Sequence, residues 1–185
     1  QALAMAKENE QCGVHRFSLV TSGKGISDND LEKVIEIYTV LKSETKLSLC
    51  ASHGIISYEQ AMKLKQAGVS KYHHNLESSP RYFKKICDTH TYQDRIDTIK
   101  NVMSAGMEVC CGGIIGMGEQ MEDRIRMALE IRKLGIKSIP INILNPIKGT
   151  PFEEMKPLSP AEILRTLAVI RFIIPDGFVR YAGGR

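Results

Sequence analysis

The residues of this sequence best suited to chemistry are its thiols. There are five, Cys12, Cys50, Cys87, Cys110 and Cys111. A thiolate is both a nucleophile and a soft metal ligand. No two stand at C-x-x-C spacing, so a zinc ribbon is excluded, and an odd number without a secretory leader argues against a disulfide framework. Cys110 and Cys111 open a more unusual stretch, Met107–Glu119, MEVCCGGIIGMGE. It begins as an apolar strand and turns glycine-rich at Gly112, Gly113, Gly116 and Gly118. Glycine there lets backbone approach a ligand closely or supplies φ > 0 in a tight turn. Side chains alternate along a strand, so Cys110 shares a face with Gly112 and Ile114. A thiol, a gap and a branched apolar residue on one face make a site wall. A packed strand running into a loop accounts for the stretch equally well. The glycine order G-x-x-G-x-G is neither the dinucleotide fingerprint nor a phosphate loop.

These residues have to be positioned by an alternation of strands and helices. Strands are predicted over 15–21, 46–50, 69–75, 107–115, 136–142 and 177–182. Helices are predicted over 1–11, 29–43, 57–67, 91–105, 120–134 and 159–173. Leu31, Val34, Ile35, Ile37, Tyr38 and Leu41 recur at helical spacing, Ser27 or Asp28 and Ser57 can cap, and Pro160 sits in a first turn. Unbroken alternation requires a parallel sheet with helical crossovers. Polar residues cluster at the strand C-terminal ends, where (β/α) barrels keep their sites. The expected fold is α/β, a partial TIM-type barrel of about six βα units, truncated at both ends, since a complete (β/α)8 barrel takes about 250 residues. A self-contained doubly wound domain is the competing architecture. The residues gathered at those ends are Ser18, Cys50, His73, Asn75, Glu77, Cys110, Ile114, Asn142 and Arg180. Buried polar groups must be paired, and a ligand would pair them.

Composition bounds the rest. The chain has 185 residues, 25% charged and 43% hydrophobic, which suits one sizeable core. Its net charge of +4 is scattered, with no basic block to bind nucleic acid. No apolar run spans a membrane, and the N-terminus is too polar for a signal peptide, so the cytoplasm is the default compartment.

Five pieces, YHHNLESSP (72–80), THTYQDRIDT (89–98), VCCGGIIGMGE (109–119), PINILNPIKGTP (140–151) and FVRYAGGR (178–185), together resemble the biotin synthase family of radical S-adenosylmethionine (SAM) enzymes. The resemblance runs in register over nearly the whole chain. It implies a (β/α)8 barrel that inserts sulfur into dethiobiotin. A four-iron cluster (4Fe-4S) generates a 5′-deoxyadenosyl radical from SAM, and an auxiliary iron–sulfur cluster gives up the sulfur. By resemblance, Asn75, Glu77 and Arg95 hold SAM, with Gly112, Gly113 and Ile114 at its border. His73, Asn75 and Asn142 line the dethiobiotin position. Cys50, Cys110 and Arg180, with Ser18 in the fourth place, hold the auxiliary cluster, and Arg180 and Asn142 act at the reaction centre. An electron donor such as flavodoxin or ferredoxin is implied as a partner, and a homodimer is compatible with the family. Thiolates are the usual ligands of such clusters, and an amide can meet a ureido ring or ribose hydroxyl as donor and acceptor.

The chain departs from the family at three points. The C-x-x-x-C-x-x-C motif of the SAM-cleaving cluster is absent and is expected upstream of Gln1, so the chain alone is expected not to cleave SAM. Ser18 stands where a further cysteine is usual, which implies an auxiliary cluster built differently. His73 replaces an asparagine. Two other classes stay open: a related radical SAM enzyme, such as a hydrogenase-cofactor maturase or methylornithine synthase, and a Schiff-base aldolase, for which Lys71 is the one lysine of suitable parity. Cys12 and Cys87 read as structural, Cys111 as packed against helices, and His74 as outward or behind the site.

Overall fold

The computed structural model describes residues 1–182. Gly183, Gly184 and Arg185 of the FVRYAGGR piece lie outside the described residues. In chain order the elements are α1 (Ala2–Gln11), β1 (Arg16–Val20), α2 (Asp28–Glu44), β2 (Ser48–Ser52), α3 (Tyr58–Gln66), β3 (Val69–His73), α4 (Pro80–Ile86), α5 (Tyr92–Ser104), β4 (Glu108–Cys110), β5 (Gly113–Ile115), α6 (Met121–Lys133), β6 (Ser138–Ile143), α7 (Pro160–Ile173) and β7 (Phe178–Tyr181). They fall into two compact units. The first holds Gln1–His74 and Gln93–Val109, the second Asn75–Tyr92 and Cys110 onward.

In the first unit, β1 pairs with β2 and β2 with β3, all parallel. Helix α2 starts where Ser27 accepts a hydrogen bond from the Asp30 amide, with Asp28 and Asp30 complementing the helix dipole. Its apolar stripe buries Leu31, Tyr38 and Leu41, while Ile37 stays exposed. Helix α3 opens on a capping box of Ser57 and Gln60. The core of this unit also holds a polar knot. His53, buried just beyond β2, meets Thr21 Oγ1 through Nδ1 and the Tyr38 hydroxyl through Nε2, both at 3.1 Å. Tyr38 donates to the Cys50 carbonyl, and Tyr72 accepts from the His53 amide and donates to the Gly54 carbonyl. Burial pushes both phenols up and the His53 imidazole down to about 4, so the ring is neutral near pH 7.

In the second unit, Cys110 pairs with Ser138, β5 pairs with β6, and β6 with β7, again all parallel. Two sequence expectations change here. The stretch 80–86, expected as loop, is helix α4. Ser79 caps it by accepting from the Tyr82 amide, and Pro80 occupies the first turn, where no amide hydrogen is needed. The single strand expected over 107–115 is broken into β4 and β5. The break lies at Cys111 and Gly112, because the segment Leu76–Glu77 docks there. The amides of Leu76 and Glu77 both donate to the Gly112 carbonyl, and the Ile114 amide donates to the Glu77 carbonyl.

Candidate functional site

The glycines of the central stretch serve the protein's own backbone first. A Cβ on Gly112 would stand 1.7 Å from the Pro140 carbonyl oxygen, and one on Gly113 would stand 2.4 Å from that of Glu77. Both positions must be glycine for the segments to meet. Gly116 and Gly118 have φ of 97° and 101°, the left-handed region that side chains disfavour, and they form the turn expected from the sequence.

Around this crossing the second unit assembles six of the candidate residues. Asn75 and Asn142 are buried. Asn75 Oδ1 accepts from the Gly112 amide at 3.0 Å, and its Nδ2 donates to Glu77 Oε2 at 3.3 Å. Asn142 Nδ2 donates to the Gly113 carbonyl at 3.4 Å. Glu77 is the one non-glycine residue among those described with positive φ, at 67°. Such strain persists only where surrounding structure enforces it, here the bridge to Gly113. Ile114 pairs with Asn142 and remains half-exposed.

The break in the strand does not scramble its faces. Cys110 lies opposite Ser138, Pro140 opposite Arg180, and Asn142 opposite Ile114. Ser138, Pro140 and Asn142 alternate along one face of β6, so Cys110, Arg180 and Ile114 share it. On this face Arg180 reaches Cys110. Its Nη2 donates to Cys110 Sγ at 3.2 Å, and Nη1 donates to Ser138 Oγ at 3.0 Å. Ser138 escaped the sequence reading, although its parity with Asn142 would have exposed it.

The first unit holds the other candidates. Ser18, Cys50 and Lys71 lie side by side in register on β1, β2 and β3, so they share a face. Cys50 is buried and Ser18 exposed. Lys71 is bound to Glu108 at 2.8 Å, which holds the Glu108 carboxyl below its usual range. His73 is two residues further along β3, half-buried, and Arg95 is half-buried in the first turn of α5. Among the described residues no group of three or more His, Cys, Asp and Glu gathers around a metal position. Thiols are the usual donors to iron–sulfur clusters, and each unit buries one candidate: Cys50 in the first, and in the second Cys110, whose sulfur accepts from Arg180.

Behind the turn stands a buried ionic frame that the sequence did not signal. Glu119, two residues ahead of helix α6, folds back. Its carboxylate accepts from the Gly116 and Met117 amides, both at 2.8 Å, and from Arg124 Nε at 2.7 Å. Arg124 also donates to Glu162 and Thr166 of α7. Helix α4 grips the same region, with Tyr82 donating to the Met117 carbonyl and Ser79 and Arg81 to Asp123. Burial raises the Asp123 carboxyl, but hydrogen bonds from Arg81, Ser79 and the Gln120 amide outweigh it and hold the group at about 2. A cavity of about 470 Å³ lies against this frame, lined by Gly116, Gly118, Arg124, Met155, Glu162 and Arg165 among others.

The chain has relatives among known proteins. Residues 1–131 match the Radical SAM superfamily, and residues 140–185 match the Biotin and Thiamin Synthesis associated domain. The chain is 66% identical over 183 residues to the biotin synthase of Acetivibrio thermocellus, and 60% identical over 185 residues to that of Clostridioides difficile. It covers 99% and 100% of itself in these matches but spans 57% of each relative's length. Among solved structures, methylornithine synthase superposes with a TM-score of 0.86 over 96% of this chain and 53% of its own. The hydrogenase maturase HydG of Carboxydothermus hydrogenoformans superposes with a TM-score of 0.80 over 96% and 44%. Both are 18% identical to this chain and show the fold alone, an α/β arrangement of the partial TIM-barrel kind. With a superfamily match over more than half its length, the chain belongs to the radical SAM superfamily.

Proposed function

We propose that the protein carrying this chain is a biotin synthase, a radical SAM sulfurtransferase that converts dethiobiotin to biotin. The observation that carries the reading is the meeting of Cys110 with Arg180, in a chain whose close relatives are biotin synthases. A thiol held by a guanidinium suits a cluster ligand set of Cys50, Cys110 and Arg180, with Ser18 beside Cys50. When bound, the 4Fe-4S cluster with SAM supplies the 5′-deoxyadenosyl radical and the auxiliary cluster supplies the sulfur.

The chain's own residues then bind and orient. Glu77, strained and next to Asn75, presents a carboxylate to the SAM ribose, with Arg95 adding a cation for SAM. Asn75 commits its oxygen to Gly112, so it acts on SAM chiefly by holding Gly112, Gly113 and Ile114 in place. Asn142 has its second amide hydrogen and its oxygen available for a ureido ring, and His73 lines the same substrate. Arg180 stabilises the Cys110 thiolate by charge and hydrogen bond. Dethiobiotin, a flavodoxin- or ferredoxin-type donor, a homodimer and a cytoplasmic location belong to the same proposal. Among the described residues no helix is long and apolar enough to cross a membrane.

The test is an anaerobic assay of a full-length protein carrying this chain, with dethiobiotin, SAM and a reductant. Biotin and 5′-deoxyadenosine should form together. Substrate-independent 5′-deoxyadenosine without biotin would instead favour a related radical SAM activity.

A further inference from the structure

Cys87 caps the C-terminus of α4, its amide donating to the Phe83 carbonyl. Its thiol does not pack into the core. It is half-exposed, and Sγ lies 3.4 Å from His90 Nδ1 and 3.9 Å from Nε2. Thr89 Oγ1 touches both partners, at 3.5 Å from Sγ and 2.9 Å from Nδ1. The imidazole is held in place by Phe83, edge-on at 5.5 Å between centroids, and Phe83 is braced by Tyr92 at 5.6 Å. A thiol, an imidazole within proton-transfer reach and a hydroxyl bridging them form a nucleophile and base pair. Lys84 and Lys85 in the last turn of α4 offset the partial negative charge of the helix end, and Asp88 points to solvent. Neither Cys87 nor His90 belongs to the candidate site above, and the pair does not depend on the proposed function.

We propose that Cys87 is a histidine-activated thiol, a site of reversible oxidation by peroxide. His90 takes the thiol proton. The thiolate attacks one peroxide oxygen, the O–O bond breaks and an S–O bond forms. The hydroxide that leaves takes a proton from His90 and departs as water. Sulfur is oxidised by two electrons to sulfenic acid and the peroxide is reduced by two. A small thiol then attacks the sulfenic sulfur, giving a mixed disulfide and a second water.

The experiment compares two cysteines in one sample. The protein is treated with hydrogen peroxide in the presence of dimedone, which traps sulfenic acid, and peptides holding Cys87 and Cys12 are quantified by mass spectrometry. Cys12 is exposed and serves as the internal reference. Cys87 should be labelled about tenfold faster than Cys12, and His90→Gln should remove most of that difference while Cys12 labelling is unchanged. Since the comparison in the unmodified protein needs no variant, misfolding of His90→Gln cannot mask the result. Equal labelling of the two cysteines, or a His90→Gln protein whose Cys87 reacts as fast as before, would overturn the proposal.

Discussion

Arg180 Nη2 donates to the sulfur of buried Cys110, a contact between the two strands that flank β6, β4 and β7. Other single residues carry equally definite consequences. Arg124 and Glu119 are an ion pair with side chains 3% and 0% exposed. Removing one partner strands a buried charge, so Arg124→Leu should cost about 3–5 kcal/mol in a denaturant titration. The same variant should loosen the amides of Gly116 and Met117 in hydrogen exchange, because Glu119 would lose its anchor. His53 sets a pH dependence. Its folded pKa of about 4 lies below the unfolded value near 6.5, so the unfolded chain takes up the proton first as pH falls. The contribution of His53 to stability is therefore constant above pH 6.5 and falls between about 6.5 and 4, by about 3 kcal/mol. His53→Gln should flatten that segment of the curve. An unchanged slope would show that other groups dominate it.

At the scale of elements, the crossing of Leu76–Glu77 with the broken strand is the feature on which the candidate site rests. Gly113→Ala pushes a methyl group against the Glu77 carbonyl and the Met127 sulfur. It should cost about 1–3 kcal/mol and weaken SAM binding in the full-length protein. A variant of wild-type stability and affinity would refute the close approach. The elements themselves were largely readable. Periodicity marked α2 through Leu31, Tyr38 and Leu41, and capping serines marked α3 and α7. Helix α4 was not read, because seven residues give periodicity little to work on, although Ser79-Pro80 was a start signal. The break at Gly112 was invisible for another reason. It is imposed by Glu77, a residue 35 positions earlier (112 minus 77), and local pattern cannot show it. Likewise the glycines were legible as a place of close approach, but what approaches Gly112 and Gly113 is backbone. The ionic frame of Glu119, Arg124 and Glu162 joins charged residues that looked like ordinary helix surface.

For the whole molecule, the family follows from the superfamily match, and the fold is shared with methylornithine synthase. The central proposal is narrower, that Cys50 and Cys110 with Arg180 would hold an auxiliary iron–sulfur cluster separate from the SAM-cleaving one. It is tested most directly by Mössbauer spectroscopy of the full-length protein, reconstituted anaerobically, beside its Cys110→Ala variant. The account predicts two distinct clusters in the unmodified protein. In the variant the auxiliary signal should vanish with biotin formation, while the other signal and 5′-deoxyadenosine production persist. Both signals at full intensity in Cys110→Ala would contradict it.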